Sequence, residues 1–187
     1  MATDENKLMK YDLLENDTIE YKGRTLYRIQ SRKNFADVKV GDLGGYIERK
    51  WNLSNFNKCW VYDNAKVYGE GRVHQDAQVR DDAEVFGEAL VQGCAVVCGG
   101  ARIYGNADID GCASVSDGAE VYDNAKVFSS ALVFGNAKVY GNTEVYGHAK
   151  VHDNAQVYGW ARVYGAGVVS GNAKVCGNTK VFSKYED

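Results

Sequence analysis

From Val61 to Val181 every sixth residue is valine, apart from Ile103 and Ile109, and no position in the series is skipped. Two residues before each stands a small side chain, alanine at most sites, with Cys59, Gly71, Thr143, Gly167 and Thr179 as the departures. Neither an α-helix nor an ordinary strand has six residues as its own period. Two inward positions per six, followed by Gly-Asn or Asp-Asn, describe a short strand and a tight corner, repeated. The series therefore predicts twenty-one such units in a row. Corner pairs such as Gly105-Asn106, Asp123-Asn124, Gly141-Asn142 and Gly177-Asn178 supply residues that tolerate left-handed backbone.

The hexad pattern resembles that of the hexapeptide-repeat proteins, which fold as left-handed parallel β-helices. That resemblance, and not the period, implies that three units close a triangular coil of eighteen residues, so that twenty-one units make seven coils. The expected fold is all-β: a left-handed parallel β-helix of about seven triangular coils with a small N-terminal β-rich cap. At the ~4.8 Å spacing of paired strands such a prism is roughly 30 Å long. One buried valine contributes only ~1.5–3 kcal/mol, so no coil offsets the ordering of its own residues without neighbours above and below.

Sorting outward residues by an eighteen-residue phase predicts three faces. The first carries an aromatic column of Tyr68, Phe86, Tyr104, Tyr122, Tyr140 and Tyr158 beside Lys66, Glu84, Arg102, Glu120 and Lys138, whose charges alternate. Equal phase means vertical neighbours, so these predict a ring ladder and a salt-bridge ladder. The second face repeats this with Asp108, Lys126, Glu144 and Arg162 beside Phe128, Tyr146, Tyr164 and Phe182. The third is poor in charge and includes Val96, Cys98, Leu132, Phe134 and Val168. An uncharged strip centred on Leu132 and Phe134 is the patch expected to meet a partner. The candidate protein-binding residues are accordingly Val96, Leu132, Phe134 and Val168, together with Tyr104, Tyr122 and Tyr140.

Residues 1–58 do not follow the hexad rule and are expected to form the cap, 59–183 the β-helix and 184–187 a tail. Thr18–Tyr21 and Thr25–Ile29, separated by Lys22-Gly23-Arg24, predict a β-hairpin, and Gly41 to Gly45 a turn. Trp51 and Trp60 are the expected packing residues of the cap. An open β-helix end exposes unpaired backbone, so the far end is expected to be covered by a few residues or used end to end. The runs GRTLYRI (Gly23 to Ile29), VKVGDLGGYIE (Val38 to Glu48), NLS (Asn52 to Ser54) and CWVYDNAKVYG (Cys59 to Gly69) resemble the YdcK-type hexapeptide-repeat proteins of bacteria, phages and prophages. This resemblance spans nearly the whole chain and implies architecture together with a provisional label of transferase.

Composition narrows the chemistry. There is no proline among twenty-one glycines, which suits continuous β-structure that keeps every backbone N–H for pairing. No apolar run approaches a membrane span and the N-terminus lacks a signal-peptide core, so a cytoplasmic location without membrane contact is expected. The five cysteines form no CxxC pair and read as small packing residues, although Cys94 and Cys112 share a corner phase. The net charge of −3 argues against nucleic acid as a partner. It conceals a gradient: Asp63 to Asp123 holds twelve acids and four bases, Asn124 to Lys184 two acids and seven bases.

Many hexapeptide-repeat proteins are trimeric acyltransferases with a histidine base near a protruding loop. His74 and His152 fall outward on strands and His148 at a corner, and the unbroken six-residue count leaves no inserted loop beside any of them. No catalytic, cofactor-binding or metal-ligating residue is assigned, and no cofactor is expected. The first expectation is a non-enzymatic interaction scaffold, a phage-encoded binder or inhibitor of a host protein. Its partner would be another protein, of the host or a second copy in a homo-oligomer. The alternatives are a trimeric acyltransferase-like enzyme and an oligomer that sequesters a nucleotide.

Overall fold

The computed structural model describes residues 9–183. It is an all-β parallel solenoid of about eight turns. The strands pair into one ten-stranded and two seven-stranded sheets. Within each sheet, residues eighteen apart stand opposite one another, as in Arg102↔Glu120, Asp108↔Lys126 and Val96↔Ser114. Most strands are two residues long, the outward residue followed by the inward valine, as in Glu120–Val121. Each coil donates to the next: the amides of Arg102 and Tyr104 reach the carbonyls of Ala119 and Val121 at 2.9 and 3.0 Å. Valine and the small residue two before it are fully buried from Ala65 to Val163, with Gly71 as the one gap in the side-chain lining.

The corners explain the alternation of glycine with aspartate. Asp63, Asp81, Asp117, Asp123 and Asp153 have φ between 52° and 60°, a region that costs most side chains energy. Each carboxylate accepts a hydrogen bond from the corner amide of the following coil; Gly99 donates to Asp81 at 2.8 Å and Gly171 to Asp153 at 2.9 Å. Aspartate thus offsets the strain with a contact between coils, while glycine avoids the strain.

The N-terminal residues extend the first face. Strand β1 (Tyr11–Tyr21) and β2 (Arg24–Ser31) form the expected hairpin, longer than its sequence signal, and β2 pairs antiparallel with β3 (Leu43–Ile47). Strand β3 then runs parallel to Lys66–Val67, placing Ile47 against Val67. Leu53 bridges to Val73 in the same sense. Stacking of inward side chains therefore begins at Ile47, two inward residues ahead of Val61, and the step from Leu53 to Val61 is eight residues in place of six. Tyr11 and Phe35 meet Trp60 edge-on, and the Tyr11 hydroxyl lies 2.8 Å from the carbonyls of Lys50 and Leu53.

Four sequence readings are corrected here. Gly44 and Gly45 lie within β3, not in a turn; a Cβ on either would come within 2.6 Å of Ile29 or of a backbone carbonyl, so close packing selects glycine. Trp60 is buried as expected, but Trp51 is 51% exposed, its ring under the Arg49 guanidinium. Cys94, Cys112 and Cys176 are exposed, because their places lie outside the wall, and only Cys59 packs in the core. The first-face charge ladder holds only at Glu120, which bonds Lys138 at 3.0 Å and approaches Arg102 at 4.0 Å. Glu84 is instead taken by Lys22 of the hairpin at 2.7 Å.

Among the described residues the last coil is the least buried: Val175 and Val181 are half-buried and Ala173 is exposed. The tail at 184–187 lies outside the described residues. No helix among the described residues is long and apolar enough to cross a membrane.

Two predictions test this account. Buried Asn52 accepts from the Arg49 amide and donates to the carbonyls of Gly69 and Gly71 at 3.0 and 2.8 Å, joining the irregular turn to the first coil. Asn52→Ala is expected to lower the unfolding free energy by about 2 kcal/mol or more in urea titrations, since it orphans buried backbone groups. Asn124→Ala, in an exposed corner, should stay within about 0.5 kcal/mol. The second concerns Glu84. Burial pushes its carboxyl up, but hydrogen bonds from Lys22, Tyr68 and Tyr21 outweigh that and hold it below its ordinary 4.5. Its clamp on the hairpin is therefore present above about pH 4.5 and lost as pH falls through the lower folded-state value. Hydrogen exchange should show β1 and β2 losing protection in acid before the coils do, and Glu84→Gln should remove most of that pH dependence.

Candidate functional site

The side faces carry the candidate chemistry, and each is a set of vertical columns. On the first face Tyr68, Phe86, Tyr104, Tyr122, Tyr140 and Tyr158 stack at 4.8–5.0 Å with planes within 6° of parallel. The coil spacing imposes this distance, and every interior ring has both faces occupied by its neighbours. A flat ligand therefore cannot enter the column except at an end. The hairpin closes the early end, where Tyr68 is buried under Tyr21. Tyr104, Tyr122 and Tyr140 remain half-exposed and present ring edges and hydroxyls outward. Burial, followed by its bond to Glu120 at 2.9 Å, raises the Tyr104 phenol far above its usual range.

On the third face Val96, Leu132 and Val168 share one column on alternate coils, with Ser114 and Lys150 between them. Phe134 lies in the next column and stacks on His152 at 4.8 Å. Leu132 and Phe134 flank buried Val133 on one edge of the wall and form a joint half-exposed patch; Val168 is 52% exposed. The structure thus groups Leu132, Phe134 and their column neighbours, and it sets Tyr104, Tyr122 and Tyr140 on another face. The two groups therefore lie on different faces of the prism.

The histidines sit where the phase places them. His152 has its Nδ1 3.2 Å from the Asp153 carboxylate and one ring face against Phe134. His74 is half-buried, and burial, followed by the Arg72 charge, lowers its pKa. His148 is exposed at a corner. The three lie on different parts of the prism and do not converge on one another. Cys94 and Cys112 are neighbours at their corner, and the Cys112 thiol raises the pKa of Cys94. No cluster of three or more metal-ligating side chains occurs among the described residues.

One residue escaped the sequence reading. Trp160, 64% exposed, occupies a corner at which the coils on either side carry Asn106, Asn124, Asn142 and Asn178. It faces a groove of about 480 Å³ bounded by Lys126, Glu144, Arg162 and Lys180. Arg162 Nε bonds the Glu144 carboxylate at 3.0 Å. The same eighteen-residue sorting that predicts the faces would have found it, had the corner positions been aligned as columns.

Residues 155–171, about one coil and including Trp160, match the family model of the YdcK beta solenoid repeat. With the fold, this match supports a YdcK-type repeat β-solenoid protein. No curated protein matches the chain significantly.

The ring column should contribute to stability whatever else it does. Tyr122→Ala is expected to cost about 1–3 kcal/mol in urea unfolding, while Tyr122→Phe, which keeps the stack, stays within about 0.5 kcal/mol.

Proposed function

We propose that this chain is a non-enzymatic interaction scaffold, a rigid prism that presents side-chain columns to another protein. The observation that carries the reading is the register. Outward residues repeat at a fixed spacing while backbone bonds and the valine–alanine lining hold each strand in place. A surface of that kind can be altered residue by residue without disturbing the core, as in other repeat proteins that act as binding surfaces. The half-exposed Leu132–Phe134 patch, continued by Val96 and Val168, is the proposed contact, with the Tyr104–Tyr122–Tyr140 edge as a second. The resemblance to YdcK-type proteins of phages suggests a host protein as partner, and self-association into a homo-oligomer would use the same patch.

Co-purification of the tagged full chain from its native host, with identification of retained proteins and of oligomeric state, tests this. One host protein is expected to be held by the wild-type chain and weakened tenfold or more by Leu132→Asp or Phe134→Asp. A stable trimer that binds acyl-CoA would overturn the reading in favour of an acyltransferase-like enzyme. Retention unaffected by those changes and by Tyr122→Ala would remove both proposed surfaces.

A further inference from the structure

The corner between the first and second faces is uniform in its middle coils. Asn106 donates to Asn124 at 3.1 Å and Asn124 to Asn142 at 3.3 Å, so the amides form a ladder. At the next coil the place of the asparagine is taken by Trp160, and the ladder stops. The backbone does not deviate: the amide of Trp160 still reaches the Gly177 carbonyl at 2.9 Å. The substitution thus serves neither the core nor the coil-to-coil bonding, and it leaves a large apolar side chain 64% exposed.

Its surroundings are cationic. From the adjoining column Lys126, Glu144, Arg162 and Lys180 line the groove, three cations against one carboxylate, with Asp108 one coil before Lys126 outside it. Glu144 is engaged by Arg162, Lys126 stands beside the Asp108 carboxylate of the preceding coil without a close ion pair, and Lys180 pairs with no carboxylate among the described residues. The preceding half of the solenoid carries the acidic excess and would repel an anion toward this half. Unlike the rings of the columns, the Trp160 indole is stacked by no other ring among the described residues, since its vertical neighbours are Asn142 and Asn178. A largely exposed indole thus stands beside a cluster of positive charge, with amide groups on either side.

We infer that the groove at Trp160 binds a nucleoside phosphate, the base lying on the indole and the phosphates meeting Arg162, Lys126 and Lys180. Stacking on an aromatic face accepts any base, and guanidinium and ammonium groups are the usual phosphate partners. Size favours a mononucleotide over a protein. Lys126 and Lys180 are three coils apart, roughly 14 Å at the spacing of paired strands, whereas a protein interface covers about 800 Å² on each partner. The site lies between the first and second faces and does not use Leu132 or Phe134, so it is independent of the scaffold reading.

Isothermal titration of the full chain with ATP tests the inference. Saturable binding is expected, with adenosine and inorganic tripolyphosphate each at least tenfold weaker, because each supplies half of the contacts. Trp160→Asn restores the residue carried by the flanking coils and should leave the urea midpoint near wild type while weakening ATP tenfold or more. Arg162→Gln combined with Lys180→Gln should weaken ATP to a similar extent without affecting adenosine. Absence of saturable ATP binding at millimolar concentration overturns the inference. Tripolyphosphate that binds as tightly as ATP and ignores Trp160→Asn overturns it too, leaving only surface charge. A short single-stranded oligonucleotide that binds more tightly than ATP through the same residues would replace the mononucleotide with a strand.

Discussion

The structure depends on one constraint: each coil must present its amides and carbonyls at the height and register of the next. Eighteen residues per turn satisfy it, because strands of consecutive coils then pair in parallel with like residues opposite one another. The inward valine and alanine follow from that register. Two inward side chains per wall segment fill the axis of a triangular tube, and a larger residue at the alanine position would force the walls apart. Even the corner aspartates serve it, accepting from the next coil's amide at a strained backbone position.

The same register makes the surface what it is. Outward residues with equal phase are held at the strand spacing, so rings become stacks and charges become pairs whether or not a partner uses them. This limits the chemistry of the columns: rings that cover one another cannot also cover a ligand. A departure from a column's own composition is therefore more informative than the column. Trp160 among asparagines is such a departure, and Phe134 between Ser116 and His152 is another. The acidic early half and basic late half add a direction along an otherwise repetitive axis.

The irregular N-terminal segment solves the problem of the first edge. The hairpin continues the first sheet, and Tyr11, Phe35 and Trp60 pack over the opening. Anchors that tie it down are polar and specific: Asn52 to the first corner, Glu84 to Lys22 and Tyr21, and buried Lys10 to the Cys59 carbonyl at 2.7 Å. These are long-range contacts between a non-repeating segment and a repeating one. Their partners have no periodicity from which to be read.

By itself the amino-acid sequence determined the repeating unit, the inward residues and the columns, because period and phase are local properties that stacking reproduces faithfully. It marked the hairpin, though not its length. What only the tertiary structure decided was how the exceptions resolve. Gly44 and Gly45 lie in a strand because Ile29 and Val61 press against them; Glu84 leaves its own column for the hairpin; Trp51 stays outside while Trp60 is buried. The groove at Trp160 belongs to the same class, since it exists only where residues from four successive coils, far apart along the chain, meet at one corner.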